Sequence, residues 1–109
     1  MSNGSKPQQQ RRRHLRIPAD VTVDLQSYKE AAPLRAKTTN LSLGGCYVKM
    51  MFTLEVGTKV KLTLWIDAAK VSTDAIVVSR KLHTGNGIQF TSMAAEDSMR
   101  LKNFLAAIR

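Results

Sequence analysis

Lys59-Val60-Lys61-Leu62-Thr63-Leu64-Trp65-Ile66 alternates, residue by residue, between side chains that suit a core and side chains that suit a surface. A period of two puts Val60, Leu62, Leu64 and Ile66 on one face of an extended strand and Lys59, Lys61, Thr63 and Trp65 on the other. Upstream, Val21, Val23 and Leu25 alternate with Thr22 and Asp24 in the same way. Further strands are expected over Leu34 to Thr39, Cys46 to Met50, Lys70 to Leu82 and Gly87 to Thr91. Turn signals at Ala32-Pro33, Gly44-Gly45, Gly57, Asp67 and Gly85-Asn86-Gly87 divide them. Six short strands at this spacing predict an all-β fold, a small antiparallel barrel or a sandwich.

The period changes towards the C-terminus. Leu101, Phe104, Leu105 and Ile108 fall at i, i+3, i+4 and i+7, one face of a helix whose apolar stripe is expected to cover an open end of the β-structure. Ser92 or Ser98 is the expected cap. Glu96 and Asp97 stand early, and Arg100, Lys102 and Arg109 late, as the helix dipole prefers.

A chain of 109 residues, 43% of them hydrophobic, suits one domain with one core. Its apolar runs are far shorter than a bilayer span, so no membrane insertion is expected, and the polar N-terminus does not read as an export signal. Cys46 is the sole cysteine, which excludes an internal disulfide, and no His/Cys cluster is spaced to hold zinc. No metal or cofactor is expected, and the cytoplasm is the expected compartment.

Lysine and arginine number 17 against 8 acids, a net charge of +9. Lys6, Arg11, Arg12, Arg13 and Arg16 all precede the first acid, Asp20. Such a block attracts polyanions: nucleic acid, an anionic membrane face or a phosphorylated small molecule. Residues 1–10, with three consecutive glutamines, bury too little apolar area to offset their ordering entropy and are expected to be disordered.

Two short motifs carry the chemistry. Arg12 and Arg16 are separated by three residues, just upstream of the first strand. Asn40-Leu41-Ser42-Leu43-Gly44-Gly45 lies between two predicted strands, where Asn and Ser side chains can bond base edges or their own backbone. Glycine there permits positive φ or a close approach to the chain. In this order the two motifs resemble the signature of the PilZ domain family, Arg-x-x-x-Arg followed by Asp/Asn-x-Ser-x-x-Gly. Arg12 and Arg16 match its first half; Asn40, Ser42 and Gly45 match its second. Arg11 to Arg16, Leu54 to Leu62 and Gly87 to Phe90 also look like family segments, so the resemblance runs from Arg11 to Arg109.

That resemblance implies a six-stranded antiparallel β-barrel with a C-terminal helix, and cyclic di-GMP as ligand. It divides the chain into a tail (1–10), an arginine-rich ligand loop (11–20), the barrel (21–91) and the helix (92–109). Guanidinium groups suit such a ligand, because they pair in planar fashion with phosphate or with the O6/N7 edge of guanine. By the family pattern Asn40 and Ser42 reach a guanine base and Gly45 keeps the turn compact. Arg11, just before the motif, implies an intercalated ligand dimer, and Arg80 is a further candidate phosphate or base contact. The implied function is a receptor that orders its arginine loop on binding and signals to a separate, unidentified protein.

An enzyme is not expected: the chain has no phosphate-binding Gly-x-x-x-x-Gly-Lys loop, nucleophile motif or paired catalytic acids. Two alternatives to the receptor stay open. One is a basic barrel that binds nucleic acid, with Tyr47 and Trp65 as the strand-borne stacking candidates. The other is a PilZ-like adaptor without ligand.

Overall fold

The computed structural model describes residues 15–29, 32–67 and 69–108. The expected disordered tail and Arg11, Arg12 and Arg13 lie outside the described residues. Seven strands and one helix follow in chain order: β1 (Ile17–Pro18), β2 (Thr22–Ser27), β3 (Leu34–Leu41), β4 (Gly45–Lys49), β5 (Lys59–Ile66), β6 (Ala69–Lys81), β7 (Gly85–Met93) and α1 (Ala95–Ile108). The sheet order is β1-β3-β2-β5-β6-β7-β4, and β4 pairs back onto β3. Strands β2 to β7 thus close a six-stranded antiparallel barrel, and β1 is an additional short strand laid along β3.

The alternation that predicts β2 and β5 is what fills the barrel. Val23, Leu25, Val60, Leu62 and Leu64 are all essentially inaccessible, in one cluster with Leu41, Cys46, Val48, Val71 and Ile88. Leu101 and Leu105 of α1 join the same cluster, with Phe104 partly buried against it, so these three positions of the helical stripe form a core face, whereas Ile108, the fourth, is exposed. On the outer surface Asp24 accepts from Arg35 Nε at 2.9 Å and from the Trp65 indole at 2.9 Å. The bond from Arg35, then that from Trp65, holds the Asp24 carboxyl below its ordinary range.

Antiparallel order gives the barrel two unlike ends. At the near end lie the β3–β4 turn, the β5–β6 connection and the start of α1; at the far end lie the β2–β3, β4–β5 and β6–β7 connections. Among the described residues no helix is long and apolar enough to cross a membrane.

Three local expectations are corrected. Gly85-Asn86-Gly87 is not a turn but the start of β7. The reversal falls at Leu82 to Thr84, with His83 in the left-handed region at φ 61°. Asn86 is fully buried there and its amide closes the far end: it accepts from Leu54 N at 2.8 Å and donates to the carbonyls of Leu54 at 2.8 Å and Ser79 at 3.1 Å. Neither serine caps the helix. Ser92 belongs to β7, α1 begins at Ala95, and Ser98 N donates to Ala94 O at 2.9 Å as part of the first turn. Arg100 sits early enough to pair with Asp97 at 3.0 Å, and the last turn carries no basic residue among those described.

Candidate ligand site

Strand β1 exists because β3 outruns β2. Ile17 pairs with Leu41 and Pro18 with Asn40, whereas β2 pairs with β3 only from Lys37 to Leu34. The two short runs form one interrupted edge, and the Thr38 hydroxyl bridges the break. It accepts from Val21 N at 3.0 Å and donates to Ala19 O at 2.7 Å. On its other side β3 carries a register shift against β4 between Thr38 and Asn40. A bulge of this kind re-aims the following side chain. Asn40 is therefore a strand residue, not a loop residue, and faces out beside Tyr47 of β4.

Arg16, one residue before β1, donates from Nη1 to Asn40 Oδ1 at 2.8 Å. The two halves of the motif, 24 residues apart, meet in this bond. With the amide oxygen engaged, Asn40 has its two N–H donors left, and the exposed guanidinium keeps most of its five. The pair is donor-rich and carries one positive charge, which suits an acceptor-rich anion.

The connection to β4 is held by its own serine. Ser42 N donates to Gly45 O at 2.8 Å, and Ser42 Oγ accepts from the amides of Gly44 and Gly45, both at 3.1 Å. Ser42 is buried, so its hydroxyl shapes the turn, the local hydrogen bonding that serine favours outside helices. Gly44 O in turn accepts from Phe90 N at 2.9 Å, fastening the turn to β7. Gly45 is required by close approach: a Cβ there would stand 2.2 Å from the Ile88 carbonyl oxygen. Behind the turn, burial pushes the Cys46 thiol up to about 12, a rise that the charge of Arg16 partly offsets.

Arg80 does not join this group. The β6–β7 register shifts between Val77 and Ser79, which turns Ser79 outward and leaves Arg80 in line with the buried Asn86. At the far end its Nε donates to Thr53 Oγ1 at 2.9 Å and its Nη2 to Thr53 O at 3.3 Å. Arg11 and Arg12 lie outside the described residues. Tyr47, two residues beyond the motif and paired with Asn40, is the neighbour that sequence reading named only as a stacking candidate for nucleic acid and left out of the ligand site; its ring lies over Gly85. Among the described residues no group of three or more His, Cys, Asp or Glu side chains could hold a metal.

A family model described as the PilZ domain matches residues 10–107. The chain belongs to the PilZ domain family. Solved structures share the fold at low identity. The Bacillus subtilis inhibitor of motility, MotI/DgrA, is 20% identical with a TM-score of 0.72, over 90% of this chain and 51% of that one. The PilZ domain of CeSA from a cellulose-synthesising bacterium is 20% identical, TM-score 0.69, over 87% of this chain and 99% of its own. The PilZ domain of YcgR from Escherichia coli, solved with cyclic di-GMP, is 19% identical, TM-score 0.70, over 91% and 95%. This PilZ domain thus spans about half the length of the Bacillus protein and nearly all of the other two. Compared with curated proteins, it has no significant sequence match.

Proposed function

We propose that this PilZ domain is a receptor for cyclic di-GMP and acts without catalysis. The observation that carries the reading is the Arg16–Asn40 hydrogen bond of 2.8 Å, which joins the two halves of the family motif into one donor-rich surface. The YcgR domain solved with cyclic di-GMP shares the fold and lends the ligand its identity. Arg12 and Arg16 take phosphate oxygens or the O6/N7 edge of guanine, and Asn40 offers its amide N–H groups to a base. Ser42 acts through the turn it holds, and Gly45 through the close packing that keeps that turn against β7. Arg11 accompanies a second, intercalated ligand. Arg80, bonded to Thr53 at the far end, takes no part.

Ile17 and Pro18 already pair with β3 and Arg16 already meets Asn40, so the ordering step concerns the residues ahead of Arg16: the ligand phosphates relieve the mutual repulsion of Arg11, Arg12 and Arg13, and binding orders them against the barrel and creates a surface for a separate protein. Calorimetric titration with cyclic di-GMP tests the reading. Arg12→Ala, Arg16→Ala and Asn40→Ala should each weaken binding about ten- to a hundredfold, the worth of a charge-assisted contact. Arg11→Ala should lower the stoichiometry from two ligands to one. Absence of heat with the parent protein would refute the receptor reading, and unchanged hydrogen exchange over residues 11–15 would refute the ordering step.

A further inference from the structure

The far end of the barrel has a composition that the ligand site does not explain. Phe52 is 84% exposed, and Tyr28, Met51, Val56 and Leu82 are each more than three-fifths exposed. Among the described residues only Leu15 elsewhere is a large apolar side chain this open. The five come from three connections at one end of the barrel, β2–β3, β4–β5 and β6–β7; the last two carry Met51, Phe52, Val56 and Leu82, whereas the Tyr28 hydroxyl donates to Asp74 at 3.3 Å.

These side chains are held out by a fixed frame. Met50 N donates to Thr84 O at 3.0 Å, joining the β4–β5 connection to the β6–β7 turn. The buried Asn86 amide clamps Leu54 through both backbone groups, and Arg80 holds Thr53. Exposure of Met51 and Phe52 is thus imposed by hydrogen bonds on either side of them.

Lysines stand at the same end as the apolar tips. Lys49 and Lys81 flank Gly85 in register, one step below Met50 and Leu82, and Lys29 and Lys59 stand at the same end. All four are exposed, and none has an acidic partner among the described residues. Among the described residues of these connections Glu55 is the acid that stands against them; Asp74, farther back along β6, is taken by Lys61 at 3.5 Å. Exposed apolar side chains one step beyond the paired Lys49 and Lys81 match the layering of an anionic bilayer, with headgroup charge outside and hydrocarbon beneath. Lysine is also the residue that protein interfaces disfavour.

We propose that the far end of this PilZ domain is a peripheral docking surface for anionic membrane, with Met51, Phe52 and Leu82 entering the headgroup region and Lys49 and Lys81 meeting lipid phosphates. The contact lies at the opposite end of β4 from the Ser42 turn and does not depend on cyclic di-GMP.

Sedimentation with sucrose-loaded vesicles tests it. The protein should pellet with equimolar phosphatidylcholine and phosphatidylglycerol, less so as salt rises, and stay in solution with phosphatidylcholine alone. Met51→Ser and Phe52→Ser together should lower partition by on the order of tenfold or more, and Lys49→Gln or Lys81→Gln by about fivefold each. All four positions are exposed, so thermal unfolding should match the parent. In Phe52→Trp the new indole should be quenched by brominated lipid, while Trp65, at the near end of β5, is not quenched in the parent. Failure of the parent to pellet overturns the proposal. So does pelleting without quenching of Phe52→Trp, which would mean adsorption by Arg11 to Arg13 alone. Phe52-dependent self-association without vesicle binding would overturn it in favour of a second copy as the occupant.

Discussion

The two ends of the barrel are made from the same alternating strands and treat their backbone in opposite ways. At the near end the turn is compact because the chain comes too close to β7 for a side chain, and Gly45 lies against the Ile88 carbonyl. At the far end the β4–β5 connection is long, and Gly57 stands in open space at φ 94°. Glycine serves packing in one case and backbone conformation in the other. The near end therefore holds a rigid polar surface with little room, and the far end spreads apolar side chains outward from a frame of side-chain clamps.

The largest effect should come from filling the tight end. Gly45→Ala forces Cβ into a backbone oxygen and should cost about 1–3 kcal/mol, read as a lower midpoint in urea unfolding. Gly57→Asn should cost well under that, since asparagine tolerates the left-handed region and nothing stands nearby. Equal costs at the two glycines would break the distinction. Next, Asn86→Ala leaves the Leu54 amide and carbonyl without their partner and should cost about 1–3 kcal/mol. Its signature is faster hydrogen exchange at Leu54 and Met50 with little change at Ser42. The smallest effect concerns Cys46. Its folded pKa of about 12 exceeds the ordinary 9.0, so the neutral thiol is favoured by folding. Stability is complete below pH 9 and falls above it, as the unfolded chain ionises first. Cys46→Ala should unfold with less alkaline loss, and a thiol reagent at neutral pH should leave the parent unmodified.

Much of this was legible in the sequence, for identifiable reasons. Alternation located β2 and β5 because one face of each strand is buried, and the i, i+3, i+4, i+7 spacing of α1 located Leu101 and Leu105. What stayed hidden depends on register. Two residues cannot show a period, so β1 left no trace, although it brings Arg16 to Asn40. Asn86 read as a turn residue because its type is common in turns, and nothing local reveals a clamp onto a segment 32 residues away. Arg80 read as a further candidate contact because it is a cation at the end of a long strand; the register shift between Val77 and Ser79, which sets it across from Asn86 and onto Thr53, is not visible in residue type. Ser42 was recognised, but its hydroxyl serves the turn, an outcome that residue type alone left open.

Closure of β4 onto β3 has a consequence for what this domain can recruit. Among the described residues closure leaves no strand unpaired along a whole side: the free edges are short overhangs, such as β6 beyond Ile76 on the β5 side and β7 beyond Gln89 on the β4 side, and the added strand β1 presents two residues, one of them Pro18, which has no N–H to give. A partner or a misfolded neighbour thus finds only short templates for extending the sheet. Any specific association must be written in side chains, and a fold so rich in strands is shielded from the edge-to-edge stacking that leads to fibres.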